Sequence, residues 1–269
     1  MGLFDSLFLG LLQGLTEFLP ISSSGHLVLG KAFLQVKSSG IFFEVFVHFG
    51  TTLSILVVFR KRIGELLKVI PKALRNPPQM VSLYRENPYL REDVYILVGS
   101  IPAAVVGLMF EKRFELIFSN VPVVGLMLIL TGLFLWLTRF TKESSGDLSI
   151  FFSFIIGCAQ AIAIIPGISR SGWTIGMGLF LAISRKRAAE FSFLLSIPVI
   201  LGATLLKLNQ LSQYTLQPGE IYIIIIGTVS AFAAGWVAIL TLLKAVKAGK
   251  LSWFSYYCVF IGLMALLLY

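Results

Sequence analysis

Charge is scarce in this chain. Only 13% of its 269 residues are Asp, Glu, Lys or Arg, roughly half of what soluble domains carry. A soluble fold of that length could not cover itself with so few charges. Disorder is excluded as well, because 57% of the residues are apolar and disordered chains have the opposite bias. Cysteine is almost missing: Cys158 and Cys258 both lie in apolar runs and cannot make a metal site alone. Histidine is confined to His26 and His48. A cleavable leader is not expected, since the first stretch lacks a basic segment and carries Asp5 and Glu17. Apolar sequence fills the chain instead, with a mean hydropathy of +0.90. This is the composition of an integral membrane protein.

Six segments are long and apolar enough to span a bilayer: 42–59, 94–110, 121–137, 188–206, 221–243 and 251–269. Two further apolar regions are interrupted. Region 3–34 breaks at Pro20 and the polar run Ser22, Ser23, Ser24, Gly25, His26. Region 148–184 breaks at Pro166, Gly167, Ser169, Arg170, Ser171 and Gly172. Irregular backbone survives at membrane depth only when buried in protein or lining a wet cavity, so both read as re-entrant helical hairpins.

The formal charge of +9 first suggests nucleic acid, but in a polytopic protein the excess orients the chain against anionic lipid. With the first hairpin inserted from outside, sixteen of the 22 Lys and Arg residues fall on one side. Five (Lys31, Lys37, Lys112, Arg113 and Lys207) fall on the other, and Arg170 stays inside the second hairpin. The rich side is then cytoplasmic, both termini lie outside, and the hairpins insert from opposite faces. The expected organisation is one integral membrane domain over 1–269, with a basic cytoplasmic loop at about 60–92.

The hairpins are also alike in sequence. GLLQGLTEFLPISSSG (10–25) and GCAQAIAIIPGISRSG (157–172) agree without gaps at six of sixteen positions, among them Gly10/Gly157, Gln13/Gln160, Ser22/Ser169 and Ser24/Ser171. Opposite insertion plus internal similarity is the mark of inverted-topology repeats, whose broken helices meet near the midplane at the functional site. The fold expected is therefore an all-α polytopic membrane protein: six transmembrane helices and two re-entrant hairpins in inverted-topology repeats.

Chemistry concentrates at the two tips. Gln13 and Glu17, spaced i, i+4, share a helix face, and Ser22, Ser23 and His26 follow closely. Burying a carboxylate, hydroxyls and an imidazole in an apolar stretch is expensive, which makes a functional site the default reading. The plainer reading is that the serines cap the next helix. The second tip offers Ser169, Arg170, Ser171 and Thr174. Arg170 suits phosphate or carboxylate, and a helix starting near Gly172 points amides at the same anion. A plain Arg170–Glu17 ion pair is the structural alternative. In the repeat alignment Ser23 falls opposite Arg170.

EFLPISSSGH (17–26), preceded by Gln13, and PGISRSGWT (166–174) closely resemble the two signature motifs of bacterial undecaprenyl-diphosphate phosphatases of the BacA type. The resemblance runs nearly end to end and takes in FEVFVHFGT (43–51) and AEFSFLLSIP (189–198). It implies hydrolysis of undecaprenyl diphosphate to undecaprenyl phosphate and phosphate, recycling the lipid carrier for cell-wall glycans, with resistance to bacitracin. It implies a divalent cation, Mg²⁺ or Ca²⁺. Carried onto this chain, Glu17 orients metal or serves as acid/base, and Ser23 or His26 attacks or activates. Arg170 with Ser169 and Thr174 holds the diphosphate, beside Gln13, Ser22 and Ser171. The family carries Glu or Gln at the place of Gln13. His48 occupies a place where relatives can have Gln and is read as packing.

Sequence leaves the attacking group open between Ser23, which is favoured, His26 and water. The partners expected are a polyprenyl diphosphate and membrane lipid, not nucleic acid, with a homodimer left open. The location expected is the bacterial inner membrane. A transporter or flippase for a polyprenyl phosphate, built on the same repeats, is the alternative from another class. The type-2 phosphatidic acid phosphatases are set aside, because no histidine follows the SR element at Ser169.

Overall fold

Pro20 and Pro166 do what their chemistry requires: each ends a helix inside an apolar region and forces the chain to turn. In the computed structural model, which describes residues 1–34, 41–75, 77–117, 120–211 and 218–268, α1 (Leu3–Phe18) gives way to α2 (Ser23–Phe33). Likewise α8 (Ile150–Ile162) gives way to α9 (Arg170–Phe180). Lys37 and Tyr269, counted above, lie outside the described residues.

Five helices are long and apolar enough to cross a membrane, among the described residues: α6 (Pro88–Ile117), α7 (Val121–Leu137), α10 (Arg185–Leu211), α11 (Pro218–Lys247) and α12 (Phe254–Leu268). A sixth is counted when α3 (Ile41–Val58) is taken with α4 (Arg60–Arg75), into which it bends by 85°. The protein is an all-α polytopic membrane protein, as the apolar runs lead one to expect. The described chain has no strand, only a single bridge between Gly146 and Ile183.

Segment 60–92, expected as a loop, is instead largely helical. Leu66, Val69 and Ala73 recur at helical spacing and are buried, so α4 has a face to pack. Pro77 and Pro78 end it, and the short α5 (Met80–Glu86) follows. Glu92 of α6 is fully buried and is held between Arg62 of α4 and Arg187 of α10, while Arg187 Nε also donates to Asp147 at 3.0 Å. A buried carboxylate is tolerable only when paired in this way, and the pairing clamps α4 and α10 to α6.

The two halves exchange their hairpins. α1 lies along α11 of the second half, and α8 lies along α6 of the first. A methyl group on Gly10 would overlap the Gly227 carbonyl, and one on Gly157 would overlap the Gly99 carbonyl. These are repeat-related glycines making matching contacts, and only a missing Cβ allows such close backbone approach. α7 and α12 meet each other, Gly125 against Gly262. This reciprocity is what a pseudo-twofold between inverted repeats produces. Between the halves, Phe18, Phe59 and Phe193 form one buried aromatic cluster, with ring centroids 5.8 Å apart in both contacts to Phe193.

Candidate active site

The two tips are built alike. In the first, Ser22 is the N-cap of α2: its hydroxyl accepts from the Gly25 amide at 3.3 Å and lies 3.3 Å from the Ser24 hydroxyl. In the second, Ser169 caps α9, accepting from the Gly172 amide at 3.1 Å and lying 3.3 Å from the Ser171 hydroxyl. The capping reading of these serines therefore describes their geometry. Ser22 also holds φ 69, the left-handed region that non-glycine residues rarely adopt. In each tip the residue just after the cap is thrown out of the turn. Those two residues are Ser23 and Arg170.

Both reach Glu17. The Ser23 hydroxyl donates to Glu17 Oε2 at 2.6 Å, and Arg170 Nη2 donates to Oε1 at 3.0 Å. Gln13 Nε2, one turn back on α1, donates to Oε2 at 2.9 Å. Glu17 is buried, and its charge is compensated by the guanidinium. The short O–H···O⁻ contact to Ser23 is of the strong, charge-assisted kind. Ser171 stitches the tips together, donating from its hydroxyl to the Leu19 carbonyl at 3.2 Å.

A cavity of about 230 Å³ lies over this carboxylate. Glu17, Ser22, Ser23, Ser169 and Arg170, all singled out in the sequence, line it, together with Ser24. Gln13 stands behind Glu17. Ser171 and Thr174 are buried and do not line it; the Thr174 hydroxyl lies 2.5 Å from Ser192 and donates to the Arg170 carbonyl at 2.8 Å. Thr174 thus braces the turn that presents Arg170.

His26 faces away from the cavity. It is buried; its Nδ1–H donates to the Ser22 carbonyl at 2.8 Å, which leaves Nε2 to accept from the Tyr257 hydroxyl at 2.9 Å. His48, read as packing, does line the cavity: its Nδ1 lies 2.9 Å from Gln13 Nε2 and 3.7 Å from Glu17 Oε2. The only sequence signal for it was a polar ring within an apolar span.

Gln160 is the other residue that sequence reasoning passed over. It lines the cavity and is buried, and both Nε2 and Oε1 lack a hydrogen-bond partner. Its repeat mate Gln13 faces Glu17, whereas the position equivalent to Glu17 in the second hairpin is Ile164. Arg170 Nη1 and Gln13 Oε1 are unpaired too. Buried orphans are rare in finished structures, yet Gln160 and Arg170 line one cavity and Gln13 stands just behind it. Two of the orphans are donors on the cavity, Arg170 Nη1 and Gln160 Nε2, which suit an anion; the other two, Gln160 Oε1 and Gln13 Oε1, are acceptors.

For a cation the fit rests on hard oxygen donors, the Glu17 carboxylate and the unpaired Gln13 Oε1. No group of three His, Cys, Asp or Glu exists among the described residues. That set suits Mg²⁺ or Ca²⁺ held in part by substrate oxygens, and not a structural zinc.

The rest of the cavity is greasy: Val45 of α3, Ile164 and Ile168 of the second tip, and Val199, Ile200 and Ala203 of α10. A polar floor under apolar walls fits an amphiphile.

The chain is similar throughout to proteins named undecaprenyl-diphosphatase. It is 43% identical over 260 residues to that of Salinibacter ruber, covering 96% of each chain. It is 41% identical to that of Christiangramia forsetii, with 99% of this chain and 98% of the relative covered. It is 38% identical to that of Korarchaeum cryptofilum, with 99% of each covered. The family described as bacitracin resistance protein BacA matches residues 6–264, so the tips, the cavity and all but the end of the last span lie within the match, and the chain belongs to the BacA family.

Proposed function

We propose that this protein hydrolyses undecaprenyl diphosphate to undecaprenyl phosphate and inorganic phosphate, and so returns a lipid carrier to cell-wall synthesis. The observation that carries the reading is one buried carboxylate, Glu17, holding the Ser23 hydroxyl from one hairpin and Arg170 from the other. Phosphoryl transfer is mainly positioning and charge neutralisation, and these are the required parts.

In this reading the terminal phosphate lies over Ser23, with Arg170 Nη1 and Gln160 Nε2 on its oxygens. Glu17 takes the proton of the Ser23 hydroxyl as the oxygen bonds to the terminal phosphorus. The bridging P–O bond breaks, and undecaprenyl phosphate leaves with the electron pair. Water, its proton taken by Glu17 after the first proton has been released, then cleaves the phosphoserine to free phosphate. His26 acts through Ser22, fixing the turn that aims Ser23. His48 steadies Gln13 and the Glu17 charge. A divalent cation, Mg²⁺ or Ca²⁺, would be held by Glu17 and Gln13 and would supply neutralisation of phosphate charge.

The lipid tail is accommodated by the apolar walls from α3 and α10, so that only the headgroup meets the tips. A protein that only carried lipid would need the cation and the apolar walls, but not a hydroxyl seated on a carboxylate. We place the protein in the inner membrane, with its basic face cytoplasmic and both termini outside. The cavity uses the early turns of α3 and the late turns of α10, which lie at the opposite face. Cysteine labelling from outside should then miss a probe at Pro78. Assembly as a homodimer belongs to the same reading and is tested by mass measurement in detergent.

The deciding experiment is phosphate release by the purified full chain given a polyprenyl diphosphate, with and without chelator. Release that depends on the cation supports the reading. Binding without release, cation present, overturns it.

A further inference from the structure

α4 leaves α3 at 85° and is too charged to follow it through the bilayer. At about 100° per residue its side chains sort into three faces. Leu66, Val69 and Ala73 are buried against the protein. Next to them Leu67, Ile70 and Leu74 form an uncovered apolar stripe, 60%, 37% and 67% exposed. The third face carries Lys61, Glu65, Lys68, Lys72 and Arg75.

An apolar stripe in water would be a liability, yet beside a basic face it is the pattern of a helix lying in the membrane interface. α5 continues the stripe with Val81, 63% exposed. Elsewhere on the basic side, Trp136 with Arg139 and Trp253 with Lys250 pair exposed rings and cations as interfacial anchors do.

Between α4 and α5 lies a cavity of about 410 Å³, lined by Lys72, Arg75, Gln79, Ser82, Leu83 and Glu86. Neither Lys72 nor Arg75 has an ion-pair partner among the described residues, whereas Lys68 is held by Glu65 at 2.7 Å. Two free cations suit a phosphodiester. The Glu86 carboxylate repels a second negative charge but accepts from a hydroxyl. A second copy of this chain fits poorly, because the same face would bring Lys72 and Arg75 against their own equivalents.

We propose that α4 and α5 form an interfacial platform that holds an anionic, hydroxyl-bearing phospholipid of the phosphatidylglycerol class, its phosphate between Lys72 and Arg75 and its acyl chains along Leu67, Ile70 and Leu74. This site is separate from the carboxylate cavity and does not depend on the phosphatase reading.

The test uses the full chain carrying Cys158→Ala and Leu74→Cys, labelled with bimane; Cys258 is fully buried and stays unlabelled. It is reconstituted in phosphatidylcholine containing a minority of acyl-brominated lipid, with either a glycerol or a choline headgroup. Each basic residue near the surface adds about a fivefold preference for anionic lipid. Brominated phosphatidylglycerol should therefore quench at least about fivefold more efficiently than its choline counterpart. The preference should vanish in Lys72→Gln/Arg75→Gln and in about 1 M salt, where screening acts within roughly 3 Å. Both charges are exposed, so the double variant should keep its gel-filtration profile. Equal quenching by the two lipids in the unaltered helix overturns the headgroup site. No quenching by either overturns the platform altogether, as when a second copy covers the stripe.

Discussion

The rings of His26 and Tyr257 lie nearly parallel, with centroids 5.5 Å apart and planes at 9°, while Nε2 and the hydroxyl share a hydrogen bond. This places His26 behind the site, between α12 and the strained Ser22 turn. Tyr257→Phe keeps the stack and deletes the bond. We expect kcat to fall by less than about tenfold with KM unchanged, since one neutral hydrogen bond is worth about 1 kcal/mol. His26→Ala also frees the Ser22 carbonyl and should cost far more. Equal losses in both variants would mean that the imidazole acts by some route other than the turn.

Arg170→Lys keeps a charge beside Glu17 but gives up the planar fork, so it cannot hold Glu17 and a phosphate together. Phosphate release should drop by about 10²-fold or more. Thermal stability should change little, because a lysine still pairs with the carboxylate. Near-normal turnover would show that a point charge suffices.

Ser23→Ala removes the attacking oxygen and leaves the arginine, the amides of α9 and the carboxylate in place. Binding of a polyprenyl diphosphate should survive while turnover nearly disappears. Substantial turnover in this variant would point to water as the nucleophile.

Gln160→Leu should make the protein more stable and a poorer binder of substrate. It removes two unpaired buried polar atoms for a side chain of similar size, so melting temperature should rise. It also removes an amide from the phosphate, so KM should increase severalfold. A rise in melting temperature with KM unchanged would show that Gln160 never meets the substrate.

Gly157→Ala should force α8 away from α6, because the new methyl would overlap the Gly99 carbonyl. A loss of about 1–3 kcal/mol, read as a lower melting temperature, is expected from overpacking. Gly64→Ala is the control: nothing lies within 4 Å of a Cβ there, and helix propensity alone should make it slightly stabilising.

What could be read from the sequence was what local chemistry dictates. Pro20 and Pro166 break helices wherever they stand, so the hairpins were visible. A buried Arg170 needs an anion, so its partnership with Glu17 could be anticipated. The aligned serines announced equivalent caps. His48 was misread because its role comes from α3 lying beside α1, a contact that no local pattern encodes. The sequence places His26 among the groups facing substrate, since it gives a residue's place along the chain and not which side of the turn it faces. The segment 60–92 looked like a loop because its three-faced pattern blends polar and apolar residues into a neutral average.

The exchange of hairpins has a consequence for ancestry. Each half packs its hairpin chiefly on a span supplied by the other, α1 on α11 and α8 on α6, so a half-length chain would leave the larger part of that hairpin's packing surface uncovered. A single-copy forerunner could have satisfied those surfaces only by pairing with a sibling inserted upside down in the same bilayer. Duplication and fusion would then have freed the two copies to diverge, so that Glu17 in one half stands where the other has Ile164, and Ser23 where the other has Arg170.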